Sequence, residues 1–200
     1  MVKAAPPTRT DYYRVLEQIL PPGTLVVTAL GNASYLWAAM HHTPENFYVE
    51  DAMGLALPLA LGLAIAQPAR RVVVVEGDGA ILMHMGTLVT LGAVAPSNLT
   101  VLLIQNGVHA ASGGQPLTNA TLDLAQLTRS AGVSCATNVD TAEGFAHVLG
   151  SAFAATALRF VVRRCGDYNR CCRDMASSLR GCVVSLPAGS ALGTRTRTMN

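Results

Sequence analysis

Two uninterrupted aliphatic runs constrain this chain most. Residues 71–76 read Arg-Val-Val-Val-Val-Glu, and residues 99–105 read Leu-Thr-Val-Leu-Leu-Ile-Gln. A strand with one wet face alternates apolar and polar side chains; these runs do not, as expected of central parallel strands covered on both faces. Parallel neighbours need crossover connections, and the intervening segments carry helical signals. The pattern predicts helices over 11–20 (with Asp11 as N-cap), 33–41, 54–67, 81–93, 122–131 and 142–155. Further short strands are predicted over 25–29, 46–49, 133–138 and 158–162. The resulting fold class is α/β: a three-layer parallel sheet with helices on both faces.

Both runs end in residues suited to chemistry. The first leads into Gly77-Asp78-Gly79 and the second into Asn106-Gly107, with 26 residues between Gly79 and Asn106. Ligands of open parallel sheets bind beyond the carboxyl ends of the strands, where both motifs fall. Asp78 could simply cap the next helix. A dinucleotide fingerprint fails, because Leu82 stands at the third glycine and no acidic residue follows about twenty positions later. A carboxylate between glycines repels a bare diphosphate and attracts it once a divalent cation lies between them. Mg²⁺ takes oxygen ligands and keeps few from protein. The Asp78 and Asn106 side chains with a nearby carbonyl give three, and two diphosphate oxygens and a water complete six. The glycines let backbone approach the phosphates, and a helix N-terminus adds N–H groups.

With 200 residues the chain has room for one sizeable α/β domain. Residues 1–162 carry seven Lys/Arg and ten Asp/Glu, whereas 163–200 carry seven Arg against Asp167 and Asp174. The expected organisation is a ligand-binding domain over 1–162 and a basic, Cys- and Arg-rich tail over 163–200, disordered or atypical. Without interleaved aromatics that tail does not read as a nucleic-acid site. Cys135 is the one cysteine of the body; Cys165, Cys171, Cys172 and Cys182 lie in the tail and form no zinc-type CxxC pair. The apolar run 52–66 is too short for a membrane span and contains Gly54, Pro58 and Gly62, so it reads as a buried helix. These features predict a soluble, cytoplasmic protein, on which reading the sequons at Asn32, Asn98 and Asn119 are chance matches.

Gly77-Asp78-Gly79 with Asn106 resembles the binding motif of thiamine diphosphate enzymes. The resemblance runs over about residues 24–162, through Ala52-Met53-Gly54-Leu55-Ala56-Leu57-Pro58, Gly86-Thr87-Leu88 and Asn98-Leu99-Thr100. Asn106-Gly107-Val108-His109 and Gly113-Gly114-Gln115-Pro116 are similar to the sulfopyruvate and phosphonopyruvate decarboxylases in particular. The resemblance implies that Asp78, Asn106 and the Val108 carbonyl ligate Mg²⁺. It implies that Gly77, Gly79, Ala80, Gly31 and Asn32 face the diphosphate and that Met53 bends the thiamine diphosphate. It makes His109 a catalytic candidate, for an acidic substrate tail or a proton, and places Gln115 at the pocket mouth. Asp51 stands where the family's main chain meets the aminopyrimidine. His84 reads as facing its helix's packing side, and His41, His42 and His147 receive no role.

The same resemblance calls for a cofactor-activating glutamate on a pyrimidine-binding domain, a pattern that Glu45, Glu50 and Glu76 do not match. The implied protein is the diphosphate-binding subunit of a hetero-oligomeric lyase. It would decarboxylate a 2-oxo acid, sulfopyruvate or phosphonopyruvate, only with a pyrimidine-binding (alpha-type) partner. Half of another 2-oxo acid decarboxylase or carboligase, or a non-catalytic cofactor-binding domain, are the alternatives.

Overall fold

The computed structural model of the protein describes residues 7–155 and 157–164. The expected parallel sheet is present. Its six strands are β1 (Leu25–Thr28), β2 (Asn46–Tyr48), β3 (Val72–Gly77), β4 (Leu99–Gln105), β7 (Ala136–Val139) and β8 (Arg159–Arg164). They run parallel in the order β2-β1-β3-β4-β8-β7. A two-stranded antiparallel hairpin, β5 (Val108–His109) and β6 (Gln115–Pro116), comes directly after β4 in the chain.

The pleat divides the apolar side chains between two cores. Val72 and Val74 of β3 and Leu103 of β4 join one core with α3 (Ala56–Ala66), α5 (Gly86–Val94) and α6 (Leu124–Ser130). Val73, Val75 and Ile104 join the other with α1 (Arg9–Ile19), α2 (Asn32–Met40) and α7 (Ala142–Ala154). Both faces are therefore covered, which is why β3 and β4 do not alternate. In the second core Trp37, fully buried, lies 5.9 Å from the ring of Tyr13.

Local structure departs from expectation at several points. The N-cap of α1 is Thr8, and Asp11 is its N3 residue, reaching back 2.8 Å to the Thr8 N–H in a capping box. The helix expected over 81–93 is two, α4 (Asp78–Met83) and α5, broken at His84 and Met85. His84 is exposed rather than packed, and its Nδ1 meets the Thr87 hydroxyl at 3.1 Å. The run 52–66 becomes helical only at Ala56; Pro58 sits in the first turn, where its missing N–H costs nothing. Arg163 and Arg164 close β8; the rest of the basic tail lies outside the described residues.

The backbones of α5 and of the turn after α6 touch. A Cβ on Gly92 would stand 2.3 Å from the Ala131 carbonyl oxygen and 3.0 Å from Gly132 Cα. Neither partner is a side chain that can swing away. Gly92→Ala is expected to cost about 1–3 kcal/mol through overpacking, read as a lower urea midpoint with an unchanged slope.

Candidate functional site

The chain passes from β1 outward to β2, then returns to β3 on the other side of β1. The loops after β1 and β3 therefore part in opposite directions and open a crevice at the carboxyl end of the sheet. A cavity of about 240 Å³ lies there. Its wall combines Ala29, Leu30, Asn32 and Ala33 after β1, Glu76 to Ala80 from the end of β3 onward, and Ile104, Asn106 and Val108 to Ser112 from the end of β4 onward. Met53 completes it from the loop before α3, and Arg9 and Tyr13 from α1.

Asp78 joins the two strand tips. One carboxylate oxygen, Oδ2, accepts hydrogen bonds from the N–H groups of Asn106 (2.8 Å) and Gly107 (2.7 Å). The other accepts from Gly79 N–H at 2.9 Å. Asn106 turns its own Oδ1 to the Val108 N–H at 3.1 Å. Burial pushes the Asp78 carboxyl above its usual range, although the amides of Gly107, Gly79 and Asn106 pull the other way. Asp78 forms no ion pair among the described residues, so its charge is compensated by amides alone. A cation at this carboxylate would offset the burial cost.

Most of the expected site residues come together. Asn32, Met53, Gly77, Asp78, Gly79, Ala80, Asn106, Val108 and His109 all line the cavity. Gly31 does not line it but makes its turn possible, with φ +74° and Ala111 Cβ only 2.9 Å from where its own Cβ would be. At Gly77 an added Cβ would meet nothing within 4 Å, so backbone there faces open space. His109 packs its ring on Gly79, where a Cβ would lie 2.8 Å from Cε1. Gln115 stays outside the wall, exposed on β6 and bonded to the Ser112 carbonyl at 3.1 Å. His41, His42 and His147 lie away from the cavity. Asp51 is exposed with φ +53°.

Three titratable wall residues escape a reading of the sequence. Arg9 and Tyr13 come from a helix whose place in the wall depends on packing alone. Glu76 is the last side chain of the apolar strand, 1% exposed, with its carboxyl pushed up to about 7 by burial. Strand alternation is the signal that could find it, since residues 72, 74 and 76 face α3 together.

The oxygen-only donors fit a hard cation bearing a diphosphate: a buried carboxylate, a carboxamide and a turn carbonyl beside bare glycine backbone. Such a crevice at a reversal of strand order is a cofactor site of the parallel α/β class. Residues 30–162 match the thiamine pyrophosphate enzyme C-terminal TPP binding domain, and the chain belongs to that family.

Curated relatives agree. A phosphonopyruvate decarboxylase of Streptomyces viridochromogenes is 34% identical over 94% of this chain and 49% of its own. A sulfopyruvate decarboxylase subunit beta of Methanothermobacter thermautotrophicus is 41% identical over 54% of this chain and 58% of its own. The chain thus spans about half the length of these relatives. Benzoylformate decarboxylase from Polynucleobacter necessarius shares the fold at 16% identity, with a TM-score of 0.66 over 80% of this chain and 33% of its own. Among the described residues, no helix is long and apolar enough to cross a membrane.

Proposed function

We propose that the chain is the diphosphate-binding subunit of a cytoplasmic thiamine diphosphate- and Mg²⁺-dependent decarboxylase. Its substrate is a 2-oxo acid, sulfopyruvate or phosphonopyruvate, and it works only with a pyrimidine-binding partner subunit. The observation that carries this reading is the Asp78 bridge between the tips of β3 and β4, with Asn106 on the same cavity wall.

Asp78, Asn106 and the Val108 carbonyl hold Mg²⁺. The Ala80 amide and the bare backbone of Gly79, with Asn32 across the crevice, face the diphosphate; Gly31 shapes the turn that presents Asn32, and Gly77 keeps the approach clear. Met53 would support the thiamine moiety, and His109 would bind the acidic tail of the substrate or move a proton. Bound thiamine diphosphate supplies an electron sink for loss of carbon dioxide from a 2-oxo acid. The carboxylate that activates it belongs to the partner. Exposed Met53 (38%), Leu55 (43%), Met83 (59%) and Met85 (42%) are consistent with a partner at the cavity mouth.

Co-expression with the product of a neighbouring gene tests this reading. With Mg²⁺ and thiamine diphosphate, carbon dioxide release from sulfopyruvate or phosphonopyruvate is expected to exceed that from pyruvate and to require both chains. Turnover by the chain alone would refute the split-subunit reading. Cofactor binding without turnover of any 2-oxo acid would favour a non-catalytic domain.

A further inference from the structure

Among the described residues Glu76 is the one carboxyl of the cavity wall besides Asp78, and no role in the proposed reaction falls to it. Its Oε1 accepts a hydrogen bond from Gly77 N–H at 3.1 Å. The carboxylate also faces the Ala56 and Leu57 amides, which favour its charged form. Those two residues open α3, whose N-cap is Leu55 and which has no capping side chain of its own. The open first-turn amides of an apolar helix thus lie over a carboxyl from the neighbouring strand. Oε2 is buried and has no hydrogen-bond partner among the described residues.

The loop this contact anchors is an awkward one. Between β2 and α3 the backbone passes through positive φ at Asp51 (+53°) and Gly54 (+85°). Gly54 is pressed onto α4, where a Cβ would lie 2.8 Å from the Ala80 carbonyl oxygen and 3.2 Å from His84 Cβ. Met53 sits between these two residues, on the cavity wall and 38% exposed. Its side chain is only partly covered, so its position depends in large part on the backbone at either end. Gly54 fixes one contact and the start of α3 the other.

We infer that Glu76 is a positioning residue, joining the Gly77-Asp78-Gly79 turn to the first amides of α3 so that Met53 is held at a set height above the diphosphate-binding turn. This rests on the assignment of Met53 as the support of the thiamine moiety. It separates two ligands that share a diphosphate. Inorganic pyrophosphate with Mg²⁺ needs Asp78, Asn106, the Val108 carbonyl and the strand-end backbone but not Met53, whereas thiamine diphosphate also needs Met53 in place.

The test is titration calorimetry of the full chain with Mg²⁺ and each ligand. Glu76→Gln keeps the shape of the side chain and replaces one acceptor oxygen with an NH2 group that cannot accept from an N–H. It is expected to weaken thiamine diphosphate about tenfold and pyrophosphate less than about twofold, in line with the loss of one amide-facing acceptor. Glu76→Asp should recover part of the loss. In a double-mutant cycle, Glu76→Gln and Met53→Ala should be non-additive. Amide exchange at residues 53–57 should quicken in Glu76→Gln while β3 and β4 stay protected, a readout that needs no ligand. Equal weakening of both ligands, or unchanged exchange at 53–57, overturns the positioning role. Failure of the parent chain to bind pyrophosphate with Mg²⁺ overturns instead the site assignment beneath it, and the inference with it. If Glu76→Gln does not fold, Glu76→Asp carries the same comparison.

Discussion

Asp78→Asn is expected to lower Mg²⁺-dependent affinity for thiamine diphosphate at least roughly a hundredfold, a loss of about 2.7 kcal/mol. The substitution changes almost no volume, so the sheet should remain intact by near-ultraviolet circular dichroism. What it removes is the one buried negative charge at which a cation can offset the cost of burial. It also turns an amide group toward the N–H groups of Gly79, Asn106 and Gly107, which now lack part of their acceptor. That second effect costs stability of roughly 1–3 kcal/mol without any metal. Calorimetry with and without Mg²⁺ separates the two losses. Affinity that is unchanged, or that falls equally under both conditions, would falsify the metal assignment.

The second large effect is a pH dependence of the metal-free protein. The Glu76 carboxyl titrates near its ordinary 4.5 in the unfolded chain and at about 7 in the folded one. Below the lower value both states hold the proton, and the fold keeps its full stability. Between the two, the unfolded chain releases a proton that the folded chain retains, so stability falls as pH rises. Above about 7 the curve flattens. A separation of this size corresponds to something on the order of 3 kcal/mol, lost between pH 4.5 and 7. Urea unfolding in chelator should show the decline, and Glu76→Gln should remove most of it and be the more stable protein at pH 8. Asp78, also raised by burial, contributes in the same direction and leaves a residual slope. A wild-type curve that is flat or rising over this interval would contradict the buried position of Glu76.

The central strands are legible in the sequence because burial on both faces leaves a signature no other local pattern imitates. The run 99–105 coincides with β4 to the residue, and the run 71–76 lies one position ahead of β3. The start of α1 is harder to place, and the expected helix begins late. A capping box puts an acidic residue at N3 as well as a hydroxyl at N-cap, and Asp11 imitates the cap that Thr8 provides. The break between α4 and α5 has little local cause beyond Gly86. It accompanies the close approach of Gly54 to the backbone and Cβ atoms of Ala80, Met83 and His84, a contact made over some thirty residues of chain. The hairpin of β5 and β6 is only two residues long on each side, below the reach of any periodicity.

The site divides in the same way. Asp78 and Asn106 are legible because each directly follows a strong strand, and two adjacent parallel strands bring their ends together whatever the loops do. Met53 and His109 stand out only through resemblance, since neither lies in a pattern that physical chemistry alone singles out. The same resemblance carries Gln115 to the pocket mouth, and the hairpin turns it away. Glu76 matches no role that the resemblance supplies, although the pleat already points it at α3. Arg9 and Tyr13 are beyond reach, their place on the wall being a property of how α1 docks on the sheet.

That docking equips the molecule with an optical probe. The chain has a single tryptophan, whose indole lies against a tyrosine that itself forms part of the pocket lining. Filling the pocket perturbs that tyrosine and, one ring further in, the only indole able to report it. Emission from the unlabelled protein should therefore track occupancy directly.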